Sequence, residues 1–418
     1  NVVIGKDTRR SSYMYECALA AGLTSSGADA YLLHVTTTPS VSYIARVDDF
    51  DCGVMISASH NPYHDNGIKL INGDGEKMEQ AVLDEIEKYL DGIAPEPPLA
   101  VGADIGRTVD YSAGRNRYIG YLISLSTHSY KGVKVGLDCA NGSTWMIAKS
   151  VFDALGADTY VISARPDGLN INVDCGSTHL ANLQKLVREE KLDVGFAFDG
   201  DADRCLAVDE SGELVDGDKL IAIFSSQMKR EGKLANDTAV VTVMSNMGFF
   251  KFAEQAGIHV EKTSVGDRYV LQNMLEHGHC IGGEQSGHII FREFMTTGDG
   301  QLTAVQLLRA IKKSGKKLSE LAQLMQVYPQ VILNVRADKE MKRMVKVDEG
   351  VLKRQQQLEE GMNGNGRILV RPSGTEPVIR IMVEGLDREA IMNAAKSMEQ
   401  IIIERLGYNE DCKGLERI

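Results

Sequence analysis

The sequence predicts an α/β protein of three similar mixed-sheet domains, followed by a smaller α+β domain. A unit of β-branched strand, polar corner and helix recurs in VVIGKDTRRSS–YMYECALAAGL, VKVGLDCANGS–TWMIAKSVFDALG and AVVTVMSNMG–FFKFAEQAG. Strands that alternate with helices are typical of α/β domains, although three βα units of one large sheet would give the same pattern. The last ninety or so residues differ, because the strands RILV and VIRIMV precede one long helix.

The length of 418 residues predicts several domains, since one domain takes roughly 150 residues and compact lobes of about 100 are also common. The Pro-rich stretch near residues 94–106 and Tyr328-Pro329 indicate boundaries. Glycines that often end helices follow the three units, at Gly22, Gly156 and Gly257. We place the domains at residues 1–112, 113–215, 216–327 and 328–418.

Composition excludes several classes of protein. The chain is 43% hydrophobic and 25% charged, as folded soluble proteins are, and no apolar run approaches the ~18 residues of a membrane span. A net charge of −12 disfavours a nucleic-acid surface. The seven cysteines are odd in number and form no C-x-x-C pair, which predicts reduced thiols in the cytoplasm and no zinc site.

The stretch GVMISASHNPYHDNGIK places polar side chains directly after a short apolar segment. Val54, Met55 and Ile56 have the composition of a buried strand, and Asn61-Pro62 is a turn dipeptide that ends it. Ser59 is therefore expected on a loop at the carboxyl end of a strand, where open α/β sheets place their ligands. An ordinary surface serine has the same setting, so position alone assigns no role.

Three aspartates follow the apolar segment VGFAF in the stretch DGDADR. Asp199, Asp201 and Asp203 would repel one another without a cation, and carboxylate oxygens suit Mg²⁺ or Ca²⁺. A calcium loop is the main alternative, but its sixth position needs a glycine, and this chain has Arg204 there. An arginine beside a metal indicates an anionic ligand shared by both. We therefore favour Mg²⁺ over a calcium loop or a solvated turn.

The stretch RPSGTEPVIR has the composition of a phosphate-binding loop. Arginines form bidentate hydrogen bonds with phosphate oxygens, and hydroxyl groups add further hydrogen bonds. A glycine allows a backbone conformation in which successive N–H groups point towards the anion. The residues concerned are Arg371, Ser373, Gly374, Thr375 and Arg380. A Pro-Ser-Gly turn between strands also occurs without any ligand.

Two other corners carry groups suited to a sugar phosphate. In IGGEQSGHII, the carboxylate of Glu284 is suited to vicinal hydroxyls, and Ser286 and His288 follow it. In GKDTRRSS, Arg9 and Arg10 meet a predicted helix start, a setting that favours anions. Each corner alone could be purely structural, but four corners suited to phosphate, metal and sugar predict one combined site.

In combination these motifs resemble a known family. SASHNP with NGIK, then DGDADR, GEQSGH and RPSGTEP, in this order and at about this spacing, resemble the four signature loops of the α-D-phosphohexomutases over essentially the whole chain. The glutamine of GEQSGH, with GKDTRRSS and VGDRYV, is more similar to the bacterial phosphoglucosamine mutase branch than to the phosphomannomutase/phosphoglucomutase branch. The resemblance implies four domains around a central cleft.

The resemblance also implies a phosphoserine at Ser59, which donates and recovers the phosphoryl group. Asp199, Asp201 and Asp203 would hold one Mg²⁺ together with a phosphoserine oxygen. One donor and one distant phosphate clamp cannot serve both ends of a hexose in a single pose. A 1,6-bisphosphate of glucosamine or glucose would therefore form as intermediate and activator, and it would turn around before the second transfer.

Further roles follow from the same resemblance. Lys69 would be the first candidate for proton transfer and His60 the second, with Arg204 neutralising charge at the transferring group. Substrate contacts would come from Arg9, Glu284, Ser286, His288, Arg371, Ser373, Gly374, Thr375 and Arg380.

The predicted function is the interconversion of glucosamine 6-phosphate and glucosamine 1-phosphate by a cytoplasmic isomerase. The predicted partner is a small sugar phosphate, with no nucleic acid or membrane, and we expect a homodimer. A mutase of glucose or mannose phosphates is the first alternative, and a non-catalytic sugar-phosphate-binding protein is the second. A haloacid-dehalogenase-type phosphatase is disfavoured, because Asp203 cannot supply the hydroxyl or methyl group of its motif.

One departure from the family pattern concerns the N-terminus. Members normally carry an FGTDG-R-G stretch there, and this chain opens on Asn1 and the strand-like VVIG. We expect that a preceding segment is missing from the sequence. Without that segment, the first domain would lack one strand and the arginine expected beside the phosphoserine.

Overall fold

The structure, a computed structural model, describes residues 1–373, residues 376–407 and the backbone of residues 415–416. Contacts divide the chain into two units. The first comprises Asn1–Ser245 with Ala253–Leu324, and the second comprises Asn246–Phe252 with Met325–Ile418.

The first unit contains three sheets. The first sheet and its helices comprise β1 (Val2–Lys6), α1 (Arg10–Ser25), β2 (Ala30–Val35), α2 (Thr38–Val47), β3 (Cys52–Ile56), β4 (Ile68–Asn72), α3 (Gln80–Leu90), β5 (Thr108–Asp110) and α4 (Ser112–Ser124). The second comprises β6 (Lys134–Asp138), α5 (Ala148–Ala154), β7 (Asp158–Ile162), α6 (Ala181–Glu190), β8 (Val194–Phe198), β9 (Cys205–Asp209) and β10 (Leu214–Val215). The third comprises α7 (Gly217–Arg230), β11 (Thr238–Thr242), α8 (Met247–Ala256), β12 (His259–Thr263), α9 (Asp267–His277), β13 (Ile281–Gly283), β14 (Ile289–Phe291), α10 (Gly300–Ser314) and α11 (Leu318–Ala322). The first six residues of α8 are assigned to the second unit.

These three sheets share one topology. In each, the first strand (β1, β6 or β11) lies between the next two strands along the chain and is parallel to both. The third strand then pairs with an antiparallel neighbour, giving β3–β4, β8–β9 and β13–β14. This repeat confirms the three similar mixed-sheet domains. It also gives the loops SASHNP, DGDADR and GEQSGH the same position, between the third strand and its antiparallel neighbour.

Burial explains why these strands form where they do. All five residues of β1 and of β8 are buried, as expected for parallel strands covered by helices on both faces. Polar residues follow directly, because the chain leaves the core at the carboxyl end of each strand. Asp199 follows β8 and the Ser59 loop follows β3.

The predicted helix end at Gly22 is wrong, since α1 continues through it to Ser25. A side chain at Gly22 would meet nothing within 4 Å, so this glycine lies in an open part of the helix, where it is tolerated. Gly156 and Gly257 do follow helix ends, and both have positive φ angles, of 88° and 64°.

The second unit is the predicted α+β domain. Its sheet has the order β16-β17-β15-β18 with antiparallel pairs throughout. The elements are β15 (Gln330–Arg336), α12 (Lys339–Met344), α13 (Glu349–Gly361), β16 (Gly366–Pro372), β17 (Val378–Gly385), α14 (Arg388–Leu406) and β18 (Leu415–Glu416). Buried side chains of α14 and β17, among them Met398 and Ile381, form the core between helix and sheet.

Two further features concern the described residues. None of their helices combines the length and the apolarity that a bilayer span requires. The six cysteines in the described part of the chain, Cys17, Cys52, Cys139, Cys175, Cys205 and Cys280, are all free thiols.

Candidate active site

The β8–β9 loop brings three carboxylates together. Asp199 and Asp201 are fully buried and Asp203 is 8% exposed. One oxygen of each lies within 4.8 Å of the others, in the only such cluster of three or more potential metal-ligand residues among the described residues. Oδ1 of Asp201 and Oδ1 of Asp203 are buried and have no hydrogen-bond partner. Unsatisfied buried oxygens of this kind suit a hard divalent cation, so the donor set fits Mg²⁺.

The charges in this cluster are strongly unbalanced. Burial and repulsion by Asp203 and Asp201 raise the pKa of Asp199 well above its ordinary value. Burial also acts on Asp203, but Lys69, His288 and Arg204 hold the pKa of Asp203 well below its usual range. Three carboxylates in such a small volume therefore need positive charge, which the protein supplies only in part.

Lys69, on β4, supplies part of that charge. Its Nζ donates to Oδ2 of Asp201 at 2.5 Å and to Oδ2 of Asp203 at 3.1 Å. Burial lowers the pKa of Lys69, but the carboxylates of Asp201 and Asp203 outweigh this effect and raise it above its ordinary value. Lys69 is therefore held as a cation that neutralises part of the carboxylate charge.

Ser59 lies at the edge of the carboxylate cluster. Its Oγ donates to Oδ2 of Asp199 at 2.5 Å, and Nδ1 of His60 lies 3.4 Å from the same Oγ. Ser59 has a positive φ of 53°, a conformation that non-glycine residues rarely adopt and that often marks functional loops. The strand-to-loop transition predicted from the sequence thus places the serine hydroxyl against the metal-ligand candidates.

Two side chains bind backbone carbonyls of the Ser59 loop. Nδ2 of Asn172 donates to the carbonyls of Ser59 and Asn61 at 2.9 and 3.1 Å. The guanidinium of Arg9 donates to the same two carbonyls at 3.1 and 2.6 Å. A Cβ on Gly200 would lie 2.5 Å from the Ser59 carbonyl oxygen, so this position needs glycine for close packing of the two loops.

Arg9 differs from the expected substrate contact. Its side chain is 0% exposed, pairs with Asp7 and binds loop carbonyls, so it positions the Ser59 loop and does not face solvent. Arg9 can be buried because Asp7, two residues earlier, supplies the buried carboxylate that a buried guanidinium needs. Arg10, by contrast, is exposed.

Arg204 completes this part of the site. Its backbone N–H donates to Oδ1 of Asp199 at 3.2 Å, and its Nε is 3.9 Å from Asp203. The same Nε is buried and lacks a hydrogen-bond partner. Partial desolvation and the Arg204 cation lower the pKa of His60, which leaves the imidazole neutral near pH 7.

The GEQSGH loop of the third sheet packs directly against the loop between β8 and β9. The Cys205 backbone N–H donates to the Gly287 carbonyl at 3.0 Å, and a Cβ on Gly287 would lie 2.3 Å from the Cys205 carbonyl oxygen. Oε1 of Glu284 accepts from the Gly266 N–H at 3.0 Å. Oγ of Ser286 is buried without a hydrogen-bond partner, so its hydroxyl is available to a ligand.

Two residues of this loop have structural contacts that the sequence did not indicate. Gln285 donates from Nε2 to Oδ2 of Asp216 at 3.2 Å, and it therefore supports the start of α7. His288 is 3% exposed and lies between Asp203 and Asp267, at 3.8 and 3.6 Å. The Gly298 N–H donates to Nε2 of His288 at 3.0 Å.

In the second unit, Arg371 and Arg380 face each other across β16 and β17. Burial and the neighbouring Arg380 cation lower the pKa of Arg371, and Nε of Arg371 is buried without a hydrogen-bond partner. Arg380 also pairs with Glu376. Oγ of Ser373 accepts from the Glu376 N–H at 3.1 Å. Two adjacent cations suit an anion, and the other two predicted members, Gly374 and Thr375, lie outside the described residues.

Sequence reasoning missed three residues that shape the site. Asn172 and Asp7 fix the Ser59 loop, and Thr38 contacts Asp201 through both its hydroxyl and its backbone N–H. Asp7 stands in the quoted motif GKDTRRSS, and Thr38 ends a run of three threonines after β2. Asn172 gave no signal, because its partners are more than 100 residues earlier in the chain.

Comparisons with known proteins agree with this fold. Four phosphoglucomutase/phosphomannomutase domain profiles match: alpha/beta/alpha domains I, II and III at residues 1–96, 116–212 and 216–328, and the C-terminal domain at residues 332–401. A phosphoglucomutase/phosphomannomutase family protein of Burkholderia thailandensis has a similar structure, with a TM-score of 0.80 at 21% identity over 98% of this chain and 90% of that chain.

Curated relatives are much closer in sequence. A phosphoglucosamine mutase of Lachnospira eligens is 58% identical over 97% of this chain and 90% of its own length. A phosphoglucosamine mutase of Lachnoclostridium phytofermentans is 57% identical over 96% and 89%, respectively. With four matching domain profiles and these identities, the chain belongs to the phosphoglucomutase/phosphomannomutase family of the α-D-phosphohexomutases.

Proposed function

We propose that this protein is a phosphoglucosamine mutase that interconverts glucosamine 6-phosphate and glucosamine 1-phosphate through a phosphoserine at Ser59. The observation that carries the proposal is the 2.5 Å contact between Oγ of Ser59 and Asp199, within a buried group of three carboxylates. The substrate is taken from relatives that are 48–58% identical over nearly the whole chain and are named phosphoglucosamine mutase.

A serine hydroxyl alone is a weak nucleophile, so the useful resting state is a serine that already carries phosphate. Asp199, Asp201 and Asp203 would hold Mg²⁺, which when bound supplies positive charge to the oxygens of the transferring group. Arg204 lies beside these carboxylates with a buried, unpartnered Nε, a donor for the same oxygens. Positioning and charge neutralisation account for most catalysis of phosphoryl transfer.

The transfer requires that the accepting sugar hydroxyl lose its proton and that Ser59 regain one. Lys69, whose Nζ lies in the carboxylate cluster, is the first candidate for proton transfer, and neutral His60, 3.4 Å from Ser59 Oγ, is the second. Glu284 and Ser286 would bind sugar hydroxyls. Arg371, Ser373, Gly374, Thr375 and Arg380 would hold the phosphate that does not react.

The bond changes balance over two transfers. The phosphoserine gives its phosphoryl group to the free hydroxyl of the sugar monophosphate, which forms a 1,6-bisphosphate. After the bisphosphate has turned around, Ser59 takes the other phosphoryl group and the isomeric monophosphate leaves. Glucosamine or glucose 1,6-bisphosphate should therefore act as an activator.

We also propose that the protein acts in the cytoplasm, because the cysteines of the described residues are free thiols. We further propose that it forms a homodimer, which light scattering would test.

Kinetics on three substrates test the proposal. The full-length protein is assayed on glucosamine 1-phosphate, glucose 1-phosphate and mannose 1-phosphate, with Mg²⁺ and a trace of bisphosphate. We expect glucosamine 1-phosphate to be preferred by about tenfold or more in kcat/KM, roughly 1.4 kcal/mol of transition-state discrimination. Equal or reversed preference would keep the mechanism but change the substrate to glucose or mannose phosphates. Binding without turnover would indicate a sugar-phosphate-binding protein.

A further inference from the structure

We propose that Asp267 is a specificity-determining residue that binds the 2-ammonium group of a hexosamine phosphate. The inference rests on the proposed function and names the contact that separates glucosamine from glucose. Gln285, whose identity marks the resemblance to the phosphoglucosamine mutase branch, donates from Nε2 to Asp216. Another group is therefore better placed to distinguish an amine from a hydroxyl.

Asp267 lies on the reactive edge of the third sheet. It is the first residue of α9, four residues after the carboxyl end of the parallel strand β12. Its Oδ2 is 3.6 Å from Nε2 of His288, and Nδ1 of the same ring is 3.8 Å from Asp203. One imidazole ring therefore separates Asp267 from a candidate metal ligand.

Two cavities meet at this carboxylate. The larger, of about 390 Å³, is lined by Asp267, His288 and Glu76, and its volume is in the range of roughly 300–1,000 Å³ for small-molecule pockets. The smaller, of about 30 Å³, is lined by Asp267 together with Asp203 and Lys69. Asp267 thus faces space that adjoins the carboxylate cluster.

One carboxylate oxygen of Asp267 accepts hydrogen bonds from described residues, and the other does not. Oδ1 accepts from Nζ of Lys77 at 2.7 Å and from the Arg268 N–H at 2.9 Å. Oδ2 faces Nε2 of His288, but at 3.6 Å the two atoms are beyond hydrogen-bond distance. Within the described part of the chain, no group donates a hydrogen bond to Oδ2.

The charge of this oxygen suits an ammonium group. Burial raises the pKa of Asp267, but His288 and Lys77 outweigh it, and the pKa lies below its ordinary value. The side chain remains 24% exposed, so a ligand can reach it. An ammonium group would add Coulomb attraction to its hydrogen bond with this carboxylate, whereas a hydroxyl at the same carbon would make the hydrogen bond alone.

Glu76 is the nearest rival, because it lines both cavities. Burial, with Asp74 and Glu79, raises the pKa of Glu76, which makes it the weaker anion. It also lacks the link through His288 to Asp203. Glu76→Gln is therefore a matched control, and Lys77→Met tests whether the salt bridge to Asp267 matters by itself.

The experiment measures kcat/KM for glucosamine 1-phosphate and glucose 1-phosphate in the wild type and three variants. Asp267→Asn should lower the preference for glucosamine about tenfold to a hundredfold while glucose turnover persists. Glu76→Gln and Lys77→Met should keep the wild-type preference within about threefold. Persisting glucose turnover also shows that the variant is folded.

Two results would overturn the inference while the proposed function stands. The first is an unchanged preference in Asp267→Asn, and the second is an equal loss with both substrates, which would make Asp267 structural. If the wild type itself shows no preference for glucosamine, the proposed substrate fails and the inference fails with it. The wild-type measurement thus separates the two.

Discussion

Removal of the Asn172 side chain should lower turnover without unfolding the protein. Its Nδ2 donates to the carbonyls of Ser59 and Asn61 at 2.9 and 3.1 Å. Two neutral hydrogen bonds contribute about 0.5–1.5 kcal/mol each, so the apparent free energy of unfolding should fall by roughly 1–3 kcal/mol. Asn172 has a φ of 60°, which glycine adopts without strain, so Asn172→Gly removes only the side chain.

Arg9 still binds both carbonyls in this variant, so the loop should loosen and not detach. A reacting atom misplaced by about 1 Å costs on the order of a hundredfold in rate. We therefore expect kcat to fall about tenfold to a hundredfold. KM should change little, because the proposed sugar contacts lie on other loops. Steady-state kinetics and urea unfolding midpoints measure the two effects.

Asn170→Gly is the matched control. Asn170 lies in the same loop and makes two hydrogen bonds of its own, to Asp167 and Arg165, but none to the Ser59 loop. It should lose comparable stability and keep its kcat. The reasoning is refuted if Asn172→Gly keeps wild-type kcat, or if Asn170→Gly loses as much of it.

Three other predictions follow from the same structure. Burial raises the pKa of Asp299 to about 6, so the folded state binds this proton more tightly than the unfolded state. As pH falls from 7 to 5, urea midpoints of the wild type should therefore rise relative to Asp299→Asn, and a pH-independent difference would contradict this. Asp199→Asn relieves repulsion between buried carboxylates, so in EDTA its melting temperature should exceed that of the wild type, and Mg²⁺ should stabilise only the wild type. An equal Mg²⁺ response would place the metal elsewhere. Gly287→Ala should abolish activity, because its Cβ would lie 2.3 Å from the Cys205 carbonyl oxygen. The control is Gly278→Ala, which is also at positive φ but in open space and should only lower thermal stability. Similar activity losses in the two variants would contradict the importance of the Gly287 contact.

The sequence predicted the features that depend on local pattern. An apolar run followed by a polar loop identified the places of Ser59 and Asp199, because a chain that leaves a buried strand must expose its polar groups. The three repeats were visible for the same reason, although the shared strand order was not. Pairing between strands depends on contacts that no short stretch contains.

The features that sequence reasoning missed depend on distant contacts. Arg9 looked like an exposed anion-binding residue, yet its partners include carbonyls 50 and 52 residues away, which bury it. Asn172 acts across 113 residues. The glutamine Gln285 indicated a branch of the family, but the sequence did not show its hydrogen bond to Asp216, 69 residues earlier in the chain. Only the folded chain shows these pairs.

The most direct test of the central claim follows one phosphoryl group. Protein phosphorylated at Ser59 is mixed with a stoichiometric amount of glucosamine 1-phosphate and Mg²⁺, and intact-mass and peptide spectra are recorded together with the sugar products. We predict that Ser59 loses its phosphoryl group as an equal amount of bisphosphate appears, and that Ser59→Ala shows neither transfer nor turnover. A Ser59→Ala protein with wild-type turnover, or phosphate that stays on Ser59 while product forms, would contradict the mechanism.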